Sequence, residues 1–104
     1  MKPIKRLTKP TEGVLMLLAH TETGIWGLEI SKLLKIPTGT VYPILSRLQE
    51  LGWVLSYWDN DHDRVGPRRK YYRLTESALV ECSRLLRASE QNAKVSKKVR
   101  VQHV

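Results

Sequence analysis

Residues 37–52 form a short segment with a helix-start signal at one end and a helix-stop signal at the other. This segment restricts the fold more than any other part of the sequence. Thr38 is suited to the N-cap of a helix because its hydroxyl can accept a hydrogen bond from a free amide of the first turn. Gly52 can take the left-handed conformation that follows a last helical turn. Apolar residues recur between these ends at helical spacing and make one stripe: Val41, Ile44, Leu45, Leu48 and Leu51. The segment therefore predicts a short helix that buries one side.

The opposite side of this predicted helix carries small, hydroxyl-bearing and basic residues. It consists of Gly39, Pro43, Ser46, Arg47 and Glu50, with Thr40 and Tyr42 on the flanks. A recognition helix needs a front of that shape to enter the major groove of DNA. The alternative is an amphipathic helix that only packs, which is the commoner use of such a pattern. The surrounding sequence decides between the two.

Two shorter helices and a very short strand are predicted before this segment. Thr8 and Pro10 open a compact apolar helix that runs to about His20. Residues 25–26 have the composition of a strand, and residues 27–35 have the apolar spacing of a helix. The link to the next helix is so short that the two helices form a helix-turn-helix. An ordinary helical hairpin is the alternative.

The hydrophobic period changes from about 3.6 to about 2 after Gly52. Residues 53–58 and 68–74 are rich in β-branched and aromatic side chains and predict two strands. Residues 59–67 between them are polar and turn-rich, so the strands form a hairpin. Three helices followed by a hairpin are the order of a winged helix, and this combination is far more specific than either part.

Thr75 is suited to cap a last helix that extends to about Gln91. A finished winged helix has little surface of its own left to cover. We therefore expect the apolar stripe of this helix to contact a partner subunit, with the first helix beside it. The expected dimerisation residues are Val14, Leu18, Leu79, Cys82, Leu85 and Leu86. The expected fold is mainly α with a small antiparallel hairpin: a winged helix-turn-helix domain over residues 11–74 and a C-terminal dimerisation helix over residues 75–91.

The formal charge of +8 is concentrated at the two ends of the chain. Residues 1–10 and residues 91–104 each carry four lysines or arginines and no acid. We expect a basic N-terminal arm at residues 1–10 and a basic tail at residues 92–104, both flexible and suited to a polyanion. Solvated ends that only keep the protein soluble are the alternative.

Size and composition favour one soluble domain in the cytoplasm. The 104 residues include no apolar run near the roughly 20 needed to span a bilayer, so we expect no membrane partner. The basic N-terminus is not followed by the apolar segment of a signal peptide. A single cysteine cannot form an intramolecular disulfide, which fits a reducing compartment.

Enzyme chemistry has little support in the sequence. His20, His62 and His103 lie in unrelated segments, and Cys82 belongs to an apolar helical stripe. One cysteine and scattered histidines cannot assemble a structural zinc site. The glycines are too scattered for a phosphate-cradling loop. We expect no catalytic residues, no metal and no cofactor.

Three segments of the chain resemble the PadR family of transcriptional regulators. They are residues 39–48 with 51–54, residues 66–75, and residues 26–30, and the likeness covers roughly residues 12–90. The resemblance implies a homodimeric winged-helix repressor that binds a palindromic operator. It also implies dimerisation through the first and last helices. The single C-terminal helix is similar to the shorter branch of the family.

Within this interpretation the exposed polar residues have roles on duplex DNA. Thr38, Thr40 and the free amides of the helix suit phosphate, and Pro43 can touch a thymine methyl. Arg47 can bind guanine or reach a phosphate. The expected DNA-binding residues are Thr38, Gly39, Thr40, Tyr42, Pro43, Ser46, Arg47, Arg68, Arg69 and Lys70. Packing for Tyr42 and a solvated strand edge for residues 68–70 are the alternatives.

The wing loop also carries acids, which are unfavourable beside phosphate. Asp59, Asp61 and Asp63 are spaced along it. We expect the tip of the loop to point away from DNA and the start of the second strand to make the contact.

Two other functions stay open at this point. The first is a winged helix used as a protein-interaction module without specific DNA binding. The second is a regulator with an unknown small-molecule effector, for which Trp26, Trp53 and Trp58 can line a pocket. Tryptophans packed in a small core are the commoner arrangement.

Overall fold

Four helices and a three-stranded antiparallel sheet make up the computed structural model of the protein, which describes residues 1–21, 23–59, 66, 68–85 and 87. The elements in chain order are α1 (Lys9–Ala19), β1 (Ile25–Trp26), α2 (Gly27–Leu34), α3 (Thr38–Glu50), β2 (Val54–Trp58), β3 (Lys70–Leu74) and α4 (residues 76–85). This is a winged helix followed by one further helix, and the expected fold class is confirmed.

The start of α1 follows the sequence prediction, whereas the start of α3 does not. Thr8 caps α1 by accepting a hydrogen bond from the Thr11 amide at 3.3 Å. The N-cap of α3 is Pro37, so the prediction of Thr38 at this place is wrong. The Pro37 carbonyl accepts hydrogen bonds from the amides of Thr40 and Val41, at 2.9 and 3.1 Å, and so opens the helix. Thr38 becomes its first residue.

A single left-handed residue makes the turn between α2 and α3. Lys35 has φ 56° and ψ 41° at the end of α2. The Ile36 amide donates to the Ser31 carbonyl at 3.1 Å, and the Ser31 hydroxyl donates to the Ile36 carbonyl at 2.5 Å. This tight turn confirms the helix-turn-helix. Gly52, as expected, takes positive φ (83°) after α3.

Strand β3 is the centre of the sheet, with β1 on one side and β2 on the other. The register places Ile25 opposite Tyr72 and Val54 opposite Leu74. The sequence predicted a two-stranded hairpin, and β1 adds the third strand. Because side chains alternate along a strand, one sheet face packs on the helices and the other faces outward. Ile25, Val54 and Tyr72 are buried on the helix side.

The core joins all four helices to the sheet. Its buried members are Val14, Leu15, Leu18, Ile25, Ile30, Val41, Leu45, Leu48, Trp53, Val54, Tyr72, Ala78 and Cys82. Trp53 is the largest fully buried side chain and lies just after α3. The core therefore holds α3 against both α1 and α4.

Helix α4 packs on its own subunit, which corrects part of the expected dimer interface. Val14, Leu18 and Cys82 have 0%, 1% and 0% of their surface exposed, so they cannot contact a partner while this packing is kept. The Cys82 Sγ lies 3.7 Å from the Leu15 carbonyl oxygen of α1. The sequence argument assumed that a winged helix leaves little surface of its own for a further helix to cover, but α4 covers part of α1. Leu85 is half-buried, and the side chain of Leu86 lies outside the described residues.

The first residues of the chain are tied to the fold, whereas the sequence predicted a flexible arm. The Lys2 amide donates to the Leu51 carbonyl at 2.8 Å, and the Trp53 indole donates to the Lys2 carbonyl at 2.6 Å. Ile4 packs against the core. The predicted basic tail at residues 92–104 lies outside the described residues. Among those described, no helix has the length and apolar character to cross a membrane.

Cys82 provides a test of where α4 packs. We expect its thiol to react with a disulfide reagent such as DTNB on the order of 100-fold more slowly in the native protein than in the denatured one. The side chain is fully buried, and burial raises the pKa of the thiol and so disfavours the reactive thiolate. The measurement is the reaction rate at two protein concentrations. A rate that rises on dilution would indicate an interface cysteine and contradict the core placement.

Candidate nucleic-acid interface

The front of α3 is exposed as the sequence predicted. Gly39, Thr40, Pro43, Ser46 and Arg47 are all exposed, and Thr38 is half-buried at the start of the helix. Their orientation follows from the other side of the helix, where a fully buried stripe packs into the core. That stripe is Val41, Leu45 and Leu48. The front therefore presents small and hydroxyl-bearing side chains and one guanidinium to solvent.

Pro43 lies inside α3, beyond the first turn, where the amide of any other residue would donate to the helix ladder. Proline has no N–H, so the Gly39 carbonyl lacks its usual helical donor four residues on. Proline at an interior position costs about 3 kcal/mol relative to alanine. The exposed front of α3 thus contains two residues, Gly39 and Pro43, that are poor helix formers.

Tyr42 packs between three elements and remains 39% exposed. Its ring lies against Gly27 at the start of α2: a Cβ at Gly27 would be only 2.7 Å from the Tyr42 Cε1. It also lies near Tyr72 of β3. Burial raises the pKa of Tyr72, and the neighbouring Tyr42 adds to the rise. Tyr42 therefore has a packing role, with part of its ring left accessible.

The basic triplet at the start of β3 is stacked on aromatic rings. The Arg68 Cζ lies 5.6 Å from the ring centroid of Trp58. The Lys70 Nζ lies 5.6 Å from the same ring and 5.9 Å from that of Tyr72. The Arg69 Cζ lies 4.3 Å from the ring of Trp26. The three cations are therefore ordered by cation–π contacts.

These contacts divide the triplet between the two faces of the sheet. The hydroxyl of Ser56 in β2 accepts a hydrogen bond from the side-chain amide of Gln49 in α3 at 3.1 Å. The sheet face that carries Ser56 therefore faces α3. Trp58 follows two residues later, opposite Lys70 in the register, and points to the same side. Arg69 lies one residue from Lys70 and points to the other side.

The outward face of the sheet carries an aromatic pair. Tyr57 and Tyr71 stack with centroids 5.6 Å apart and planes 17° apart. The Tyr57 hydroxyl donates to the Thr23 carbonyl and so ties the wing to the loop before β1. Gly24 in that loop has φ 95°, and a Cβ there would meet the Tyr57 hydroxyl. The sequence analysis did not single out these tyrosines, although the alternation of the strand places both on one face.

The three tryptophans occupy different environments and do not line one pocket. Trp53 is in the core, Trp26 is half-buried beneath Arg69, and Trp58 is 50% exposed. The expectation that they fill the core is confirmed for Trp53 and is wrong for Trp58. Trp58 is also a surface residue that the list of expected DNA contacts omitted. Trp58 lies two residues after Ser56 in β2, and strand alternation could have placed both side chains on the same sheet face.

An open cavity of about 330 Å³ lies between the first residues of the chain, Trp53 and α4. On α4 it is lined by Glu81, Arg84 and Leu85. The Arg84 guanidinium donates a hydrogen bond to Glu81 and lowers the pKa of that carboxyl. In the part of the chain that the structure describes, no three histidine, cysteine or acidic side chains are grouped to hold a metal ion. Asp61, Asp63 and most of the wing loop lie outside that part.

A helix-turn-helix with an exposed helix front and a basic hairpin beside it defines a winged-helix domain of the DNA-binding class. The sequence matches the transcriptional regulator PadR-like family over residues 14–82, more than half of the chain. The protein therefore belongs to the PadR-like family of transcriptional regulators. Among curated proteins, no sequence matches this chain significantly.

Solved structures share this fold. A variant of ZitR from Lactococcus lactis matches with a TM-score of 0.75 and 26% identity over 90% of this chain and 60% of that one. A PadR-like transcriptional regulator from Bacillus cereus matches with a TM-score of 0.73 and 22% identity over 89% and 93% of the two chains. A PadR-like transcription factor from Bacteroides fragilis matches with 0.68 and 23% over 86% and 87%. The chain spans less than two thirds of the ZitR chain, and the two PadR-like structures share its fold over most of their length.

Two glycines in the first turns of neighbouring helices provide a matched test of this packing. We expect Gly27→Ala to destabilise the fold by about 1–3 kcal/mol, because the added methyl meets the Tyr42 ring. We expect Gly39→Ala to stabilise it by up to about 1 kcal/mol, because no atom lies within 4 Å of the added methyl and alanine favours a helix. Urea unfolding of both variants measures the two signs. Equal effects at both sites would contradict the placement of Tyr42.

Proposed function

We propose that this protein is a sequence-specific regulator of transcription that binds double-stranded DNA in the cytoplasm. In this proposal it is a homodimeric repressor that occupies a palindromic operator. The observation that carries the proposal is the bare front of α3, which is held outward by a fully buried back. Small side chains let the backbone of a helix come close to base edges, and Gly39 and Ser46 are small and exposed.

The residues on this front divide by the part of DNA that they fit. Thr38 and Thr40, with the free amides at the start of α3, suit the phosphate backbone. Pro43 and Ser46 lie further along the exposed front, where contact with base edges is made. Arg47 can form a bidentate contact with guanine or reach a phosphate. Tyr42 packs on α2, and its accessible part suits a sugar.

The charge of the chain supports a polyanionic partner. The net charge is +8, and each end of the sequence contributes four cations without an acid. Neutralising DNA phosphates releases counterions, so binding weakens steeply with salt. If the dimer neutralises about eight phosphates, the log–log salt slope is on the order of −7.

We propose that the dimer forms through the exposed side of α4 and the outer side of α1. Leu79 of α4 and Met16 of α1 are both 42% exposed, so both apolar side chains are accessible to a partner subunit. Leu85 is half-buried and packs against the core of its own subunit. The two recognition helices of the dimer would then contact half-sites about 34–36 Å apart.

The other candidate is a protein-interaction module that uses the same face. The exposed front of α3 argues against it, because none of Gly39, Thr40, Pro43, Ser46 or Arg47 is a large apolar side chain. Such a module would bind bulk DNA without a steep loss of affinity at higher salt. Binding measured at two salt concentrations separates the two candidates.

The decisive experiment is selection of DNA from a random pool by the purified protein. We expect an inverted repeat with half-sites one helical turn, or a multiple of it, apart. Enrichment of no sequence, or of a single unrepeated site, would contradict the proposal that a dimer contacts two half-sites. Transcription in vitro from a promoter that contains the selected repeat then tests repression.

Arg47 provides a test of the α3 front. We expect Arg47→Gln to weaken binding to the selected duplex by roughly 5- to 100-fold, because one base or phosphate contact is lost. The control is Arg73→Gln, which removes an equal charge from an exposed position paired with Leu55 on the outward sheet face. Fluorescence anisotropy measures both affinities, and thermal unfolding verifies the fold. Equal losses of affinity in the two variants would show that binding depends only on net charge and would contradict a specific contact by Arg47.

Leu79 provides a test of the dimer. We expect Leu79→Asp to convert the dimer to monomers, because burying an unpaired carboxylate in an apolar interface is strongly unfavourable. Val80→Asp is the control, since Val80 is 73% exposed and lies about 100° further round α4. Sedimentation equilibrium gives the mass of each variant. A Leu79→Asp variant that stays dimeric would exclude this surface from the interface.

A further inference from the structure

We propose that Trp58, Arg68 and Lys70 form the DNA-contacting surface of the wing, and that Arg69 is a structural brace outside that surface. This inference rests on the proposed DNA binding, and it names a residue, Trp58, and a division of the basic triplet that the sequence pattern does not supply. The partner is the sugar–phosphate backbone of the same duplex that α3 contacts.

Trp58 is the first observation that carries the proposal. It is half exposed at the end of β2, although an indole ring is usually buried in so small a domain. Two cations flank this exposed ring: the Arg68 Cζ and the Lys70 Nζ each lie 5.6 Å from its centroid. An exposed aromatic ring with two cations near it forms a surface that suits a sugar and its adjacent phosphates.

The second observation is the direction of this surface. The Gln49–Ser56 hydrogen bond shows which sheet face looks toward α3, and Trp58 and Lys70 belong to that face. The front of α3 and the Trp58 surface therefore lie on one side of the wing. A duplex seated on α3 meets this side of the wing first.

The cation–π contacts also explain how the wing keeps its charge available. An arginine held by a carboxylate is neutralised, whereas an arginine held over an indole stays fully charged. The ring fixes the long side chains of Arg68 and Lys70, which would otherwise lose rotamer entropy when a phosphate immobilises them. Their charges are thus ordered before a phosphate arrives.

Arg69 has a different environment. It points to the opposite sheet face and lies 4.3 Å from the ring of Trp26, the residue that joins β1 to α2. It is half-buried there, whereas Arg68 is exposed. Its guanidinium therefore braces β1 against β3, in a position turned away from α3.

The neighbouring arginines allow a matched test, because Arg68→Gln and Arg69→Gln remove the same charge one residue apart. The probe is a fluorescein-labelled duplex of roughly 30 base pairs that carries the selected repeat, long enough for two half-sites. We expect Arg68→Gln to weaken binding about 3- to 10-fold and to reduce the salt slope by about 1 per subunit. We expect Arg69→Gln to keep the slope and to lower the unfolding temperature. Equal loss of slope in the two variants would overturn the proposal.

Trp58 is tested without any change of charge. We expect Trp58→Ala to weaken binding on the order of tenfold at constant salt slope, and Trp58→Phe to recover most of the affinity. Leu55→Ala is the control: Leu55 lies on the same strand, is 46% exposed, and faces the other side of the sheet. Wild-type affinity in Trp58→Ala, or an equal loss in Leu55→Ala, would overturn the proposal.

Tryptophan fluorescence separates failure of this inference from failure of the proposed function. We expect the duplex to quench the emission of the wild-type protein and to leave that of Trp58→Phe nearly unchanged, because Trp53 is buried and Trp26 lies beneath Arg69. A wild-type protein that binds the duplex with equal quenching in Trp58→Phe would refute only the wing surface. A wild-type protein that binds no DNA would refute both.

Discussion

The burial of three aliphatic side chains on the back of α3 is the constraint on which the rest of the structure depends. Val41, Leu45 and Leu48 are fully enclosed by the core. Each contributes about 1.5–3 kcal/mol by leaving water, so turning the helix by even one residue would forfeit several kcal/mol. The exposed front is consequently set by what is buried behind it. The exposed front of α3 therefore needs no contacts of its own to keep its orientation.

The junction after α3 transmits this orientation to the wing and the last helix. The Trp53 amide donates to the Leu48 carbonyl at 2.9 Å, and the Trp53 carbonyl accepts from the Thr75 amide at 3.0 Å. The indole of the same residue is held by Lys2. One buried residue thus joins the end of α3, Thr75 just before α4, and Lys2 near the start of the chain. The wing and α3 are therefore positioned as a unit.

Local pattern predicted most of the elements, and long-range packing accounts for what it missed. Apolar spacing identified α3, its buried back and its exposed front, because a helix repeats every 3.6 residues or so. The same spacing found the stripe on α4 but could not tell whether α1 or a partner covers it, and Cys82 proved to pack on α1. Residues 68–70 were treated as one basic patch, although strand alternation separates Arg69 from its neighbours. The cap at Pro37 was missed because a backbone carbonyl, which every residue has, opens the helix.

The proline inside α3 has a mechanical consequence. With no amide at Pro43, the ladder of backbone hydrogen bonds lacks the rung that would end on Gly39, and the helix resists bending less at that level than elsewhere. The leading turn is held by Val41 in the core and by the Tyr42 ring, which lies against Gly27 of α2. Grooves differ in width and curvature from one base sequence to another. Under the proposed DNA binding, a helix that yields at its leading turn can follow such differences, which would add an elastic component to its contacts.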